Sequence, residues 1–397
     1  MPVKKSRVSK KNVKAEPKKA VKKTSVSAAK KSVKKTAAKI ETKAIVKKAA
    51  IKKSKNKFTV AVVGATGLVG KTFLKLIEKR KFPIDKLYLF ASERSKGLKL
   101  ECMGKKYEVL DINECEKYNY DIAFFSAGSQ VSLDYAHKFI DRGALVVDNS
   151  AAFRMHPNVP LVVPEVNMED GLSNMGLIAN PNCSTIQMVV ALWPLHKAFG
   201  IKRIVVTTFQ SVSGTGTAAI DELKGQVSEI LERGVEKSYE HGLTKNVYPH
   251  QIAFNCLPHI DKFQEDGYTF EEVKMINETR KIFNEPKMKV TATTVRVPVF
   301  RGHSESVNIE FKNPVTADEV TAILKYAPGV KLIDDVKQNS YPMPVFCEDR
   351  DEVFVGRIRE DKSVKYGINL WVVSDNILKG AALNGIQIVE EYFNIKK

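Results

Sequence analysis

The sequence predicts an α/β protein: a Rossmann-type dinucleotide-binding domain, then an α+β domain, behind a disordered Lys-rich tail. Three observations predict it. Near residue 58 a β-branched run meets a glycine-rich turn and an amphipathic stretch, the first unit of a dinucleotide-binding sheet. Short apolar runs and helical stretches then alternate, which implies a parallel, doubly wound sheet. From about Ile201 the runs lengthen and become rich in Thr and Val, the texture of a mixed or antiparallel sheet.

The tail comes first. Residues 1–57 hold 22 basic residues and two acids, Glu16 and Glu41. The remainder holds 42 basic and 43 acidic residues, so the net charge of +19 belongs to the tail and the body is near neutral. Like charges repel, and scattered Val and Ile cannot offset the entropy of ordering, so residues 1–57 read as disordered. Three roles stay open: a solubilising arm, a polyanion-binding arm that would neutralise nucleic-acid phosphates, and an organellar transit peptide, against which the scarcity of Arg counts.

Order begins at Phe58. Phe58–Val63 reads as a buried strand. Gly64, Ala65, Thr66, Gly67, Leu68 and Val69 then open a GxxGxxG turn, whose glycines let the backbone approach a pyrophosphate at a helix N-terminus. The helix is Lys71–Arg80, with Phe73, Leu74 and Ile77 on one face. Leu87–Phe90 is the second strand. Asp121–Phe125 is another strand and runs into Ser126, Ala127 and Gly128, at a strand tip that should face the cofactor. A helix over Val131–Arg142 and a strand over Ala144–Asp148 follow. In the second domain the strands are Arg203–Gln210, Lys289–Val299, Ser304–Phe311 and Lys365–Val373, with a tight turn at Arg301-Gly302. Asn376–Phe393 reads as a helix with one apolar face. The expected boundaries are 58–184 for the cofactor domain, completed by 376–397, and 185–375 for the catalytic and dimerisation domain.

Composition narrows the class. No apolar run approaches the ~20 residues a bilayer span needs, and the charged N-terminus lacks the apolar core of a secretory signal. The five cysteines (102, 115, 183, 256, 347) are odd in number and widely spaced, with no CxxC pair. That spacing predicts neither a disulfide framework nor a metal cluster, and points to a reduced, cytoplasmic setting unless the tail directs the chain to an organelle.

Three segments carry chemistry. After the second strand, Ser92, Arg94 and Ser95 suit the 2′-phosphate of NADP, because Arg offers a planar donor fork; Glu93 keeps NAD open as the competing cofactor. Cys183, in Asn180-Pro-Asn-Cys-Ser-Thr185, precedes the apolar helical run Ile186–Ala198. A helix N-terminus there is expected to lower its thiol pKa. A thiolate beside a nicotinamide suggests aldehyde oxidation, or its reverse, through a thioester. His303, just after a turn and between Gly302 and Ser304, suits a general acid or base.

With these residues in view, the body resembles the aspartate-semialdehyde dehydrogenases over essentially all of 58–397. The carrying segments are Val62–Gly70, Asp148–Arg154, Leu161–Asn167, Asn180–Met188, Phe209–Gly214, Val295–Asn308 and Leu370–Asn376. The resemblance implies reversible, NADP-dependent reduction of aspartyl β-phosphate to aspartate β-semialdehyde with release of phosphate, toward lysine, diaminopimelate, threonine and methionine. It implies Cys183 as nucleophile, Gln210 as a substrate-orienting residue and His303 as general acid/base. Arg296 would clamp the substrate α-carboxylate, a bidentate task suited to Arg, and Glu272 would hold its ammonium. Arg154, Lys274 and Asn182 match the phosphate-binding set, and Ser213, Gly214 and Asn376 the nicotinamide side. The family is metal-free and forms homodimers or homotetramers. Two departures stand out: the Lys-rich extension, and Thr294 where many relatives carry Cys. The nearest rival, N-acetyl-γ-glutamyl-phosphate reductase, has a Gly-Cys-Tyr-Pro-like cysteine context instead. A nucleic-acid-associated protein with a vestigial enzymatic body is the rival of another class.

Overall fold

The computed structural model describes residues 56–395. Residues 1–55, and with them nearly all of the tail, lie outside the described residues. The first half runs β1 (Phe58–Val63), α1 (Leu68–Lys79), β2 (Ile84–Ala91), β3 (Lys99–Cys102), β4 (Lys105–Asp111), β5 (Ile122–Phe125), α2 (Ser129–Asp141), β6 (Leu145–Asp148), α3 (Pro164–Gly171) and β7 (Leu177–Ala179). These strands form one sheet in the order β3-β4-β2-β1-β5-β6-β7. All neighbours are parallel except the edge strand β3. Val60, Ala61, Val62 and Val63 are fully buried, because helices cover both faces and the strand has no polar side to alternate with. The chain builds outward from β1 through β2 and returns to β5 on its other flank. That switch point is where such sheets bind ligands, beyond the strands' C-terminal ends.

The second half runs α4 (Cys183–Phe199), β8 (Ile201–Gln210), α5 (Thr217–Arg233), α6 (Val235–His241), α7 (Phe270–Ile282), β9 (Lys289–Arg296), β10 (His303–Phe311), α8 (Ala317–Leu324), β11 (Val330–Leu332), α9 (Pro344–Cys347), β12 (Val353–Asp361) and β13 (Gly367–Ser374). Its sheet is mixed, in the order β11-β12-β13-β10-β8-β9. One local expectation is corrected here. Arg301-Gly302 does not close a hairpin, because β9 and β10 lie on opposite sides of β8, β9 parallel to it and β10 antiparallel. Residues 297–302 instead pass over the end of β8, where Val297 N–H donates to the Gln210 carbonyl and Val212 N–H to that of Val299. This crossing gathers three strand ends: Gln210 closes β8, Arg296 closes β9 beside it, and His303 opens β10.

The C-terminal segment begins as a π-helical turn, Leu378–Ala382, before α10 (Leu383–Tyr392). Leu383, Ile386 and Val389 join the core that Phe73, Phe124 and Val147 form under the first sheet. None of the described helices is long and apolar enough to cross a membrane.

Candidate active site

The cofactor-side residues surround the switch point. Gly64 has φ +82°, and a Cβ there would lie 2.4–2.7 Å from the Ser126 carbonyl, so only glycine fits between β1 and β5. A Cβ on Gly70 would overlap the Gly64 carbonyl oxygen, so α1 seats directly on its own turn. Gly67 caps α1 with no side chain over the helix N-terminus. This bare, uncapped turn fits a dinucleotide pyrophosphate. Ala65, Thr66, Leu68 and Val69 belong to the same turn. Ser126, Ala127 and Gly128 flank it from β5. Ser92, Arg94 and Ser95 form the short turn after β2, with Arg94 exposed.

The nucleophile candidate sits at the first position of α4. Asn182 caps that helix, its Oδ1 accepting from Ser184 N–H (3.0 Å) and Thr185 N–H (3.2 Å). Its Nδ2 donates to Glu271 (2.9 Å), which also accepts from Gln210 Nε2 (3.1 Å). A Cβ on Gly380, in the π turn, would stand 3.0 Å from the Cys183 Cβ, so that turn lies directly against Cys183. Arg296 Nη1 donates to the Ser211 carbonyl (2.7 Å), while its buried Nε has no protein partner. His303 is fully buried, and its Nδ1 meets the Ser211 N–H and Oγ, each at 3.1 Å. A main-chain N–H can only donate, so the neutral ring carries its proton on Nε2. That Nε2 is buried without a protein partner. Gly214 lies against both groups: a Cβ there would be 2.9 Å from Arg296 Nη1 and 3.3 Å from His303 Nε2. Asn376 links the surrounding loops, accepting from Gly302 N–H (2.9 Å) and donating to Ser213 Oγ (3.0 Å).

On the other flank, Arg154 Nη1 donates to Glu278 (3.0 Å) and Nη2 to the Asn149 carbonyl (2.9 Å). Lys274 Nζ bonds Asp261 (2.7 Å) and Glu271 (3.2 Å). Cys183, Gln210, Arg296, His303, Asn182, Arg154 and Lys274 therefore converge from distant parts of the chain.

Two expectations are corrected. Glu272 does not face this cluster. It completes the capping box of α7, with Oε2 accepting from Thr269 N–H (2.7 Å) and Oε1 from Thr294 N–H (3.0 Å). Glu271, one residue earlier and about 100° around the helix, is the acid that meets Asn182 and Gln210. Thr294 is part of the same structural cap, its hydroxyl 3.5 Å from that of Thr269. The second correction concerns the thiol. Burial pushes Cys183 up to about 12 and the Glu271 carboxylate adds to this, against the pull of Arg296 and Arg154. The Ser184 main-chain N–H at the helix N-terminus also pulls the thiol down, but burial outweighs it. Burial would also raise Glu271, but Lys274, with Asn182, Gln210 and Arg296, outweighs it and holds the acid at about 2. Burial, then Arg296, drives His303 down to about 3, so the ring is neutral.

The sequence reading missed Glu271, Glu278, Ser211 and Gly380. One signal was available: Glu271, Lys274, Glu278 and Lys281 recur at the spacing of one helical face.

Comparisons with known proteins identify the family. Residues 59–173 match the family model described as semialdehyde dehydrogenase, NAD binding domain, and residues 192–379 the one described as semialdehyde dehydrogenase, dimerisation domain. A protein named aspartate-semialdehyde dehydrogenase from Aquifex aeolicus is 54% identical over 337 residues, covering 84% of this chain and 97% of its own. The chain belongs to the aspartate-semialdehyde dehydrogenase family. Among solved family structures, aspartate semialdehyde dehydrogenase II from Vibrio cholerae, complexed with ASA, superposes with a TM-score of 0.81 at 45% identity, over 86% of this chain and all of that one. The Candida albicans aspartate semialdehyde dehydrogenase with NADP gives 0.64 at 27% identity, over 86% and 100%.

Proposed function

We propose that this family member reversibly converts L-aspartate 4-semialdehyde, phosphate and NADP to L-aspartyl 4-phosphate and NADPH, as a homo-oligomer. The observation that carries the reading is the meeting of Cys183, His303 and Arg296 at three strand and helix ends, beside an NAD-binding fold. The Gly64–Val69 turn would hold the pyrophosphate, Arg94 with Ser92 and Ser95 the 2′-phosphate, and Ser213, Gly214 and Asn376 would border the nicotinamide. When bound, that ring exchanges hydride with the substrate carbon.

The chain's own residues do the rest. Arg296 clamps the substrate carboxylate and Gln210 orients the substrate. Glu271 receives the ammonium, and pairing it removes the anionic charge that raises Cys183. The Cys183 S–H bond breaks, its proton leaving to solvent, and the sulfur adds to the carbonyl carbon while His303 Nε2–H bonds the resulting oxyanion. The substrate carboxylate offsets Arg296 and raises the His303 pKa. The Ser211 N–H at Nδ1 keeps the ring proton on Nε2, aimed at the oxygen on which negative charge develops. Arg154, Lys274 and Asn182 place phosphate to attack the Cys183 thioester; the acyl–sulfur bond breaks as the acyl–oxygen bond forms.

The test is NADPH formation from aspartate semialdehyde, with and without phosphate. We expect phosphate-dependent turnover, its loss in Cys183→Ala, and a larger loss with NADP than with NAD in Arg94→Ala. Turnover on N-acetylglutamate semialdehyde alone would overturn the substrate, and an equal loss with both nucleotides would remove Arg94 from cofactor selection.

A further inference from the structure

Helix α7 offers four charged side chains on one face, and the third has no role in the chemistry above. Glu278 is 1% exposed. One of its oxygens accepts from Arg154 Nη1 at 3.0 Å and the other from the main-chain N–H of Asn182 at 2.7 Å. Two buried donors thus meet two acceptor oxygens, which a carboxylate satisfies and an amide cannot. Asn182 immediately precedes Cys183 and caps its helix. One carboxylate therefore sets both the side chain of Arg154 and the peptide that presents the nucleophile. Lys281, one turn along α7, donates to the carbonyls of Arg154, His156 and Val159 at 2.7–2.8 Å and fixes the backbone of the same loop. The Arg154 Nε remains buried without a protein partner, a donor free for an anion.

We propose that Glu278 is a positioning residue that locks the phosphate-binding arginine and the start of the nucleophile's helix into one arrangement. This rests on the roles given above to Arg154 and Cys183. It separates two half-reactions. Reduction of nicotinamide by bound aldehyde, seen as a burst without phosphate, needs the Asn182–Cys183 peptide in place. Turnover also needs Arg154 aimed at phosphate.

The experiment compares the full chain with Glu278→Gln and Glu278→Ala, measuring the burst rate without phosphate and the steady-state KM for phosphate. The Gln amide retains one acceptor, which the Asn182 N–H takes because it has no other partner, whereas Arg154 keeps the Asn149 carbonyl. We expect Glu278→Gln to raise the phosphate KM about tenfold with the burst rate within about twofold, the scale of one lost charge-assisted bond. In Glu278→Ala the burst should slow about tenfold as well, because both donors lose their partner. A phosphate KM within about twofold of the parent in Glu278→Gln would overturn the proposal. So would equal slowing of the burst in both variants, the mark of a merely structural carboxylate. If Glu278→Ala fails to fold, the Gln variant decides alone. A parent chain without phosphate-dependent turnover would overturn the functional reading, and this one with it; an active parent with an unaffected Gln variant would overturn only this one.

Discussion

At the scale of single residues, charge governs the site. Cys183 is held protonated by burial and by Glu271. The thiolate is the reactive form, so alkylation of the unliganded enzyme should climb about tenfold per pH unit well beyond the ~8.5 of an ordinary thiol. Glu271→Gln removes an anion that raises the thiol, so its alkylation curve should move to lower pH. Mass spectrometry of the Cys183 peptide separates this signal from exposed Cys256. A plateau near pH 8, or no movement in Glu271→Gln, would contradict the electrostatic account. The sequence singled out Cys183, His303, Arg296 and Gln210 through their surrounding motifs, and the fold brings these four together. It did not choose between Glu271 and Glu272, since adjacent helical residues point about 100° apart. The capping box with Thr269 fixed that phase, and it turned Glu272 toward Thr269 and Thr294.

At the scale of elements, close contacts between backbones replace side-chain packing around the nucleophile. Gly380 in the π turn stands against Cys183, and a methyl group there would lie 3.0 Å from its Cβ. Gly380→Ala should cost about 1–3 kcal/mol of stability by overpacking, and should lower kcat about tenfold or more by shifting the sulfur. Gly225→Ala is the matched control. It is exposed on α5 with no atom within 4 Å of an added Cβ, and it should leave kcat unchanged while raising stability by about 0.5–1 kcal/mol. Equal kcat in the two variants would show that the π turn does not seat the nucleophile. In the first sheet β1, β2, β5 and β6 were legible because buried apolar runs leave plain patterns; β3 and β4, partly exposed, and the three-residue β7 were not. The π turn was not, since Leu378–Ala382 continues the apolar composition of the helix after it.

At the scale of the whole molecule, the C-terminal helix returns to the first sheet and ties the ends of the body together. Arg80, the C-cap of α1, pairs with Glu390 through two bonds of 2.6 and 2.7 Å, and Glu390 is 5% exposed. Glu390→Ala leaves Arg80 only its longer bond to Asp351 (3.4 Å), so thermal unfolding should show a loss of about 1–3 kcal/mol. Removing Arg80 as well should recover part of this in a double-mutant cycle; strict additivity would show that the pair does not couple.

By itself the sequence determined the family chemistry, the glycine turn and four of the seven strands of the first sheet. Those depend on local backbone freedom, hydrophobic period and motif. Only the tertiary structure decided that residues 297–302 cross the end of β8, that Glu271 and not Glu272 faces the nucleophile, and that Glu278 joins Arg154 to Asn182. Each depends on contacts between segments up to 124 residues apart. No local period encodes such contacts; packing and the pairing of buried polar groups select them.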